Sequence, residues 1–143
     1  MKPTLQKFFL VITLFFAATV VLAACGGSSG SNTPVDVTVT LSEFKIDSSL
    51  TTFSQGVPYH FIVTNKGTVN HEFRIIPPVS GQPSQDQINS MTLASIAQDQ
   101  LAPGATATLD YTFTKAYPKG SLEIACHLPG HYDAGMHLPI VVK

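Results

Sequence analysis

Strict alternation of apolar and polar residues leaves this chain few folds to choose from. VDVTVTLS (35–42) sets Val35, Val37, Val39 and Leu41 on one face. A period of two in β-branched residues marks a strand buried on one side. PYHFIVTN (58–65) predicts a second strand, ended by the turn residues Asn65, Lys66 and Gly67. HEFRII (71–76) predicts a third, stopped by Pro77 and Pro78, which cannot continue a ladder. ATATLDYTF (105–113), GSLEIAC (120–126) and LPIVVK (138–143) supply three more. Only residues 84–100 break the rhythm: Ile88, Met91, Leu93 and Ile96 fall at helical spacing, which predicts a short helix there. Many short strands, Gly/Pro/Asn turns and no long helix for parallel crossovers predict an all-β fold. The expected architecture is an antiparallel β-sandwich with one short helical insertion.

The N-terminus reads as a processing segment. Lys2 and Lys7 precede the apolar run FFLVITLFFAATVVLA (8–23), which ends in Leu22-Ala23-Ala24-Cys25. That layout is a secretory signal rather than a membrane span. Small residues before a cysteine resemble a bacterial lipobox, which implies cleavage after Ala24 and lipidation of Cys25. GGSSGSNTP (26–34) has nothing to bury and reads as a flexible tether. The expected organisation is a signal peptide at 1–24, a tether at 25–34 and a folded domain at 35–143. The protein is then extracytoplasmic and held on a bacterial membrane by its lipid, on the periplasmic or cell-surface side.

Without Lys2 and Lys7, six Lys/Arg face nine Asp/Glu, a formal charge of −3. No basic patch is available for nucleic acid. Of the two cysteines, a lipidated Cys25 leaves Cys126 without a partner in the chain. An unpaired thiol in an oxidising compartment is buried and inert, pairs between chains, or binds a metal.

The metal option gains weight from CHLPGHYDAGM (126–136), which gathers Cys126, His127, His131 and Met136 within eleven residues. Strand parity turns Cys126 inward with Leu122 and Ile124, and His71 inward with Phe73 and Ile75. Two inward ligand-type residues at strand ends can meet at one pole of a sandwich. A thiolate, two imidazoles and a thioether form the donor set of a mononuclear electron-transfer copper site. Structural zinc takes its ligands in pairs such as CxxC with HxxxH, and those pairs are absent.

At this point the chain resembles the cupredoxins, the blue copper protein family. Cys126-x4-His131-x4-Met136 is similar to the ligand loop of the rusticyanin and sulfocyanin type, whereas plastocyanins have a shorter gap between cysteine and histidine. NHEF around His71, LAPGATATLDYTF and GSLEIAC resemble the family's flanking segments, so the likeness runs from Val35 to Lys143. The resemblance implies a Greek-key sandwich and one copper ion cycling between Cu(I) and Cu(II). It implies His71, Cys126 and His131 as ligands, with Met136 as the weak axial one. Pro129 and Gly130 would shape the turn that delivers His131, and Gly135 the bend that returns Met136. Many members carry Asn or Ser after the upstream histidine. Here that position is Glu72, which parity places on the outer face with Arg74 as a surface pair.

The function implied is single-electron shuttling between extracytoplasmic redox proteins by a monomer, with no substrate bonded and no enzymatic reaction. An apolar patch of Leu128, Pro129, Leu138 and Pro139 near His131 would receive the partner. The alternative is copper storage, scavenging or delivery, motivated by Glu72 and His127 as extra hard donors. His60, His127 and His137 are expected outside the ligand set, and Met91 in the core of the 84–100 segment.

Overall fold

Residues 33–143 are described by a computed structural model. The expected signal peptide, Cys25 and most of the expected tether lie outside the described residues. Alternation becomes two layers. The first sheet is built on β1 (Val35–Ser42), where Val37, Val39 and Leu41 are buried. A two-residue turn leads to β2 (Lys45–Ser48), antiparallel to β1. β4 (Pro58–Asn65) buries every second residue and runs parallel to β1, with Val37 opposite Phe61 and Val39 opposite Val63. β7 (Thr106–Thr112) closes the sheet antiparallel to β4, giving the order β2-β1-β4-β7.

The second sheet comprises β3 (Thr52–Phe53), β5 (Phe73–Ile76), β6 (Ala94–Ile96), β8 (Tyr117–Ala125) and β9 (His137–Val142). Its order is β3-β9-β8-β5-β6. The expected sandwich is therefore present, with two of its ladders, β1–β4 and β3–β9, running parallel. Phe53, Phe61, Phe73 and Phe113 fill the space between the layers, all essentially inaccessible. Phe61 and Phe73 meet across it at 5.5 Å between ring centroids. No helix among the described residues is long and apolar enough to cross a membrane.

The 84–100 segment is only partly helical. α1 (Gln85–Met91) starts at Ser84 with a reciprocal capping box: Ser84 Oγ accepts from the Gln87 amide, and Gln87 Oε1 from the Ser84 amide. The helix ends at Met91, so Leu93 and Ile96 are not on it. Instead β6 pairs with β5, Ile96 opposite Phe73 and Ala94 opposite Ile75. An unpaired edge of β5 was available, and main-chain pairing there outweighed the helical spacing of two residues. As expected, Met91 packs inward, against a small cluster of Ile76, Ile88 and Ala125. That cluster lies on the outer face of β5 and β8, which α1 roofs over.

Candidate metal centre

Three chain crossings meet at one pole. His71 lies just before β5, Cys126 immediately follows β8, and residues 127–136 loop back into β9. The loop is cross-tied by its own backbone. The Cys126 amide donates to the Met136 carbonyl at 3.1 Å, the Met136 amide to the His131 carbonyl at 3.1 Å, and the His131 amide to the Leu128 carbonyl at 3.0 Å. Gly130 (φ 80°) and Gly135 (φ 99°) occupy the left-handed region at its two sharp bends, where a side chain is strained. His71, Cys126 and Met136 are fully buried, while His131 is half-buried.

The donor atoms converge. His71 Nδ1 lies 3.2 Å from His131 Nδ1, and Cys126 Sγ lies 3.4 Å from His131 Nδ1. All three residues offer a ligand atom within 4.8 Å of the others. Two imidazole lone pairs so close repel unless a proton or a cation lies between them. Bonds of about 2.0 Å to nitrogen and about 2.3 Å to sulfur, in a trigonal plane, set donors roughly 3.5 Å apart. The residues present therefore fit one small first-row cation, and thiolate with imidazoles is a donor set for copper. Met136 joins the same buried cluster as Cys126.

Electrostatics prepare the donors differently. Burial pushes the Cys126 thiol up, so the apo site carries a protonated sulfur at neutral pH. Burial, and then the neighbouring His131, hold His71 below the usual imidazole range, so its lone pair is free. Metal binding must displace the thiol proton. Cu(II) addition at pH 7 should release about one proton from Cys126, read with an indicator dye in weak buffer. Cys126→Ser should lose that release; equal release from both proteins would remove the thiol from the ligand set.

The surroundings hold this geometry. The Glu72 amide donates to Cys126 Sγ at 3.5 Å. The Glu72 side chain is not on the surface: only 5% of the residue is exposed. Its carboxylate takes a bidentate pair of bonds from Arg74, at 2.7 and 2.9 Å, and accepts the His127 amide at 2.9 Å. Arg74 continues to Asn89 Oδ1 of α1 at 3.0 Å and Thr92 Oγ1 at 3.1 Å. The expected surface pair is thus a buried bridge between the cysteine loop and the helical insertion. Parity placed both residues on the outer face correctly, but α1 covers that face.

On the other side, buried Asn65 donates to the carbonyls of Val69 (2.8 Å) and Leu101 (2.7 Å) and accepts the Gly67 amide (2.8 Å). A methyl group at Gly67 would sit 2.9 Å from His71 Nε2, so only glycine lets this loop lie against the imidazole. Glu43 accepts the Thr68 amide and hydroxyl, which holds its carboxyl below the usual range. Phe44 beside it adopts φ 58°, a conformation costing roughly 1–2 kcal/mol for a residue with a side chain. Its exposed ring meets His131 edge-on at 5.5 Å. Sequence reasoning missed Phe44; its one signal is an aromatic residue inside a turn, out of phase with both flanking strands.

The remaining histidines stay outside the donor cluster. His60 pairs with Asp110 across β4 and β7. His127 is half-buried and stacked on Tyr132, and His137 stacks on the same ring. Burial, with the hydrogen bond to Glu123, pushes the Tyr132 phenol up to about 12, so its proton stays on the oxygen.

No protein-family model matches the chain. It is 32% identical over 111 residues to the copper-resistant cuproprotein CopI of Rubrivivax gelatinosus, covering 75% of this chain and 66% of that one. A second CopI, from Pseudomonas aeruginosa, is 59% identical over 34 residues, 24% of this chain and 17% of the relative. The chain thus spans just under two thirds of the first curated relative and a small part of the second. The fold superposes on reduced auracyanin from Roseiflexus castenholzii with a TM-score of 0.58 at 18% identity, over 78% of this chain and 98% of that one. It superposes equally, at 0.58 and 22% identity, on auracyanin A, a "blue" copper protein of Chloroflexus aurantiacus, over 78% and 100% of the two chains.

Proposed function

We propose that this chain, which has the cupredoxin fold, binds copper and carries single electrons between redox proteins outside the cytoplasm. The observation that carries this reading is the meeting of His71 Nδ1, Cys126 Sγ and His131 Nδ1 at a buried pole. Copper, when bound, supplies a Cu(II)/Cu(I) couple. The chain does the rest. Cys126, His71 and His131 would hold the ion, with Met136 as a weak fourth donor. The sandwich keeps these donors in place in either oxidation state, and burial of Cys126 and Met136 excludes water. His131 is the half-buried donor, flanked by exposed Phe44, and gives the electron its shortest way out. No substrate is bonded in such a transfer, and we assign the protein no reaction of its own. Cleavage after Ala24 and lipidation of Cys25 would keep the domain on the membrane surface beside its partners.

A second reading, copper handling, is favoured by the likeness to a copper-resistant cuproprotein. The two separate in one experiment. The copper-loaded protein is cycled by voltammetry beside a membrane-impermeant Cu(I) chelator. A carrier gives a reversible one-electron wave and keeps its copper; a delivery protein gives the ion up on reduction.

The docking surface is tested without knowing the partner. Leu128 and Phe44 border His131, and two copies meeting there exchange electrons with each other. Leu128→Asp should slow self-exchange, measured by NMR line broadening, by about tenfold, the loss associated with a central interface contact. The visible spectrum should not change. An unaltered rate would place the docking surface elsewhere, including at Leu138 and Pro139 on β9.

A further inference from the structure

The ligand loop carries a second five-residue period. Cys126, His131 and Met136 are each followed directly by a ring: His127, Tyr132 and His137. In the fold both imidazoles stack on the tyrosine. His127 lies on Tyr132 at 4.4 Å between centroids and 13° between planes, and Tyr132 on His137 at 4.8 Å and 25°. The middle ring is anchored to the scaffold. Its hydroxyl donates to Glu123 Oε1 at 2.6 Å, and Glu123 Oε2 lies 3.3 Å from His137 Nδ1. Glu123 is only 2% exposed and belongs to β8, three residues before Cys126.

We propose that Tyr132 is the positioning residue of the copper loop, fixing the spacing of Cys126, His131 and Met136 through the stacked rings that follow each of them. The proposal rests on the copper-site reading above. The loop is also held by its backbone bonds, by the His127 amide on Glu72, by Leu128 packed on the core and by Phe44 against His131, but it is Tyr132 that bonds its middle to β8. Stacked aromatic pairs attract beyond the area they bury, and a short bond to a carboxylate is among the stronger ones a hydroxyl makes. Together they link three donor positions to the strand that delivers the thiol. Groups that orient metal ligands from behind govern affinity and electronic structure.

The test compares the unaltered full-length protein with Tyr132→Leu and Tyr132→Phe, all loaded with Cu(II). The readouts are the visible thiolate-to-copper band, the copper hyperfine splitting in EPR, and the rate of copper loss to EDTA. Tyr132→Leu should keep a band yet show altered hyperfine splitting and lose copper about tenfold faster or more, the usual scale for a group behind the ligands. Tyr132→Phe keeps the stack without the hydroxyl and should fall between. Unchanged EPR and copper loss within about twofold in Tyr132→Leu would overturn the proposal, because groups that position ligands act on a larger scale. If Tyr132→Leu does not fold, His137→Ala decides: it removes only the outer, exposed ring, and should shift the same readouts in the same direction. A normal rate and spectrum in His137→Ala would then overturn the proposal. Absence of the band from the unaltered protein would overturn the copper-site reading and this inference with it, whereas a band present in the unaltered protein, with hyperfine splitting and copper loss insensitive to Tyr132, overturns this inference alone.

Discussion

Cys126→Ser should abolish the intense visible band of the Cu(II)-loaded protein and leave a pale solution. Cys126 is the one anionic soft donor at the pole; His71 and His131 alone offer two neutral nitrogens. A serine hydroxyl is close in size, so the fully buried position 126 keeps its packing and the fold survives. It does not ionise near neutrality, so it supplies neither the charge nor the polarisable sulfur that suits Cu(I). Cu(I) affinity should fall by more than about 100-fold, beyond the range that groups behind the ligands produce. The measurements are the visible and EPR spectra with competitive Cu(I) titration. An unaltered protein that is already pale, with spectra that do not change in the serine variant, would mean that the thiolate is not bound and that the histidines hold copper by themselves.

The second large effect is structural. Arg74→Met should destabilise the protein by about 3 kcal/mol, the lower end of what breaking a buried ion pair costs. Side chains of Arg74 and Glu72 are 11% and 7% exposed, so removing the guanidinium strands a buried carboxylate. It also frees Asn89 and Thr92 of the insertion from their common donor. For a domain of this size the melting temperature should drop by roughly 10–20 °C. The double variant Glu72→Gln, Arg74→Met should recover most of that loss. No charge is then left unpaired, and the introduced side-chain amide still offers an oxygen to the His127 backbone N–H. Urea and thermal unfolding of the three proteins check this. A double variant as unstable as the single one would show that the cost lies in lost packing rather than in a stranded charge.

The pair also marks where sequence reading stopped. Parity assigned Glu72 and Arg74 to the outer side of the strand that became β5, and that is where they are, Glu72 just before it and Arg74 on it. Outer was equated with exposed, because a strand's alternation reports the side of a side chain and not what lies on that side. From Leu122 to Cys126 the alternation of burial vanishes: all five residues are buried, Glu123 and Ala125 under Tyr132 and the α1 cluster. The 84–100 segment misled for a related reason. Ile88 and Met91 had helical spacing and are helical, but Ile96 lies on β6, where a free sheet edge was waiting.

Order and phase along the chain are local properties, and these the amino-acid sequence determined alone. Period-two alternation dictated strands, turn residues bounded them, and the thiol, imidazole and thioether at five-residue steps announced a soft-metal loop before any coordinates. Only the tertiary structure decided what those strands pack against. It brought His71 to within 3.2 Å of His131 across 60 residues, set Phe44 against the half-buried imidazole, and buried Glu72 and Glu123 behind the loop. Distance along the chain carries no information about which surface an insertion will cover, because that depends on which sheet edge and which apolar face remain open once the two layers have closed.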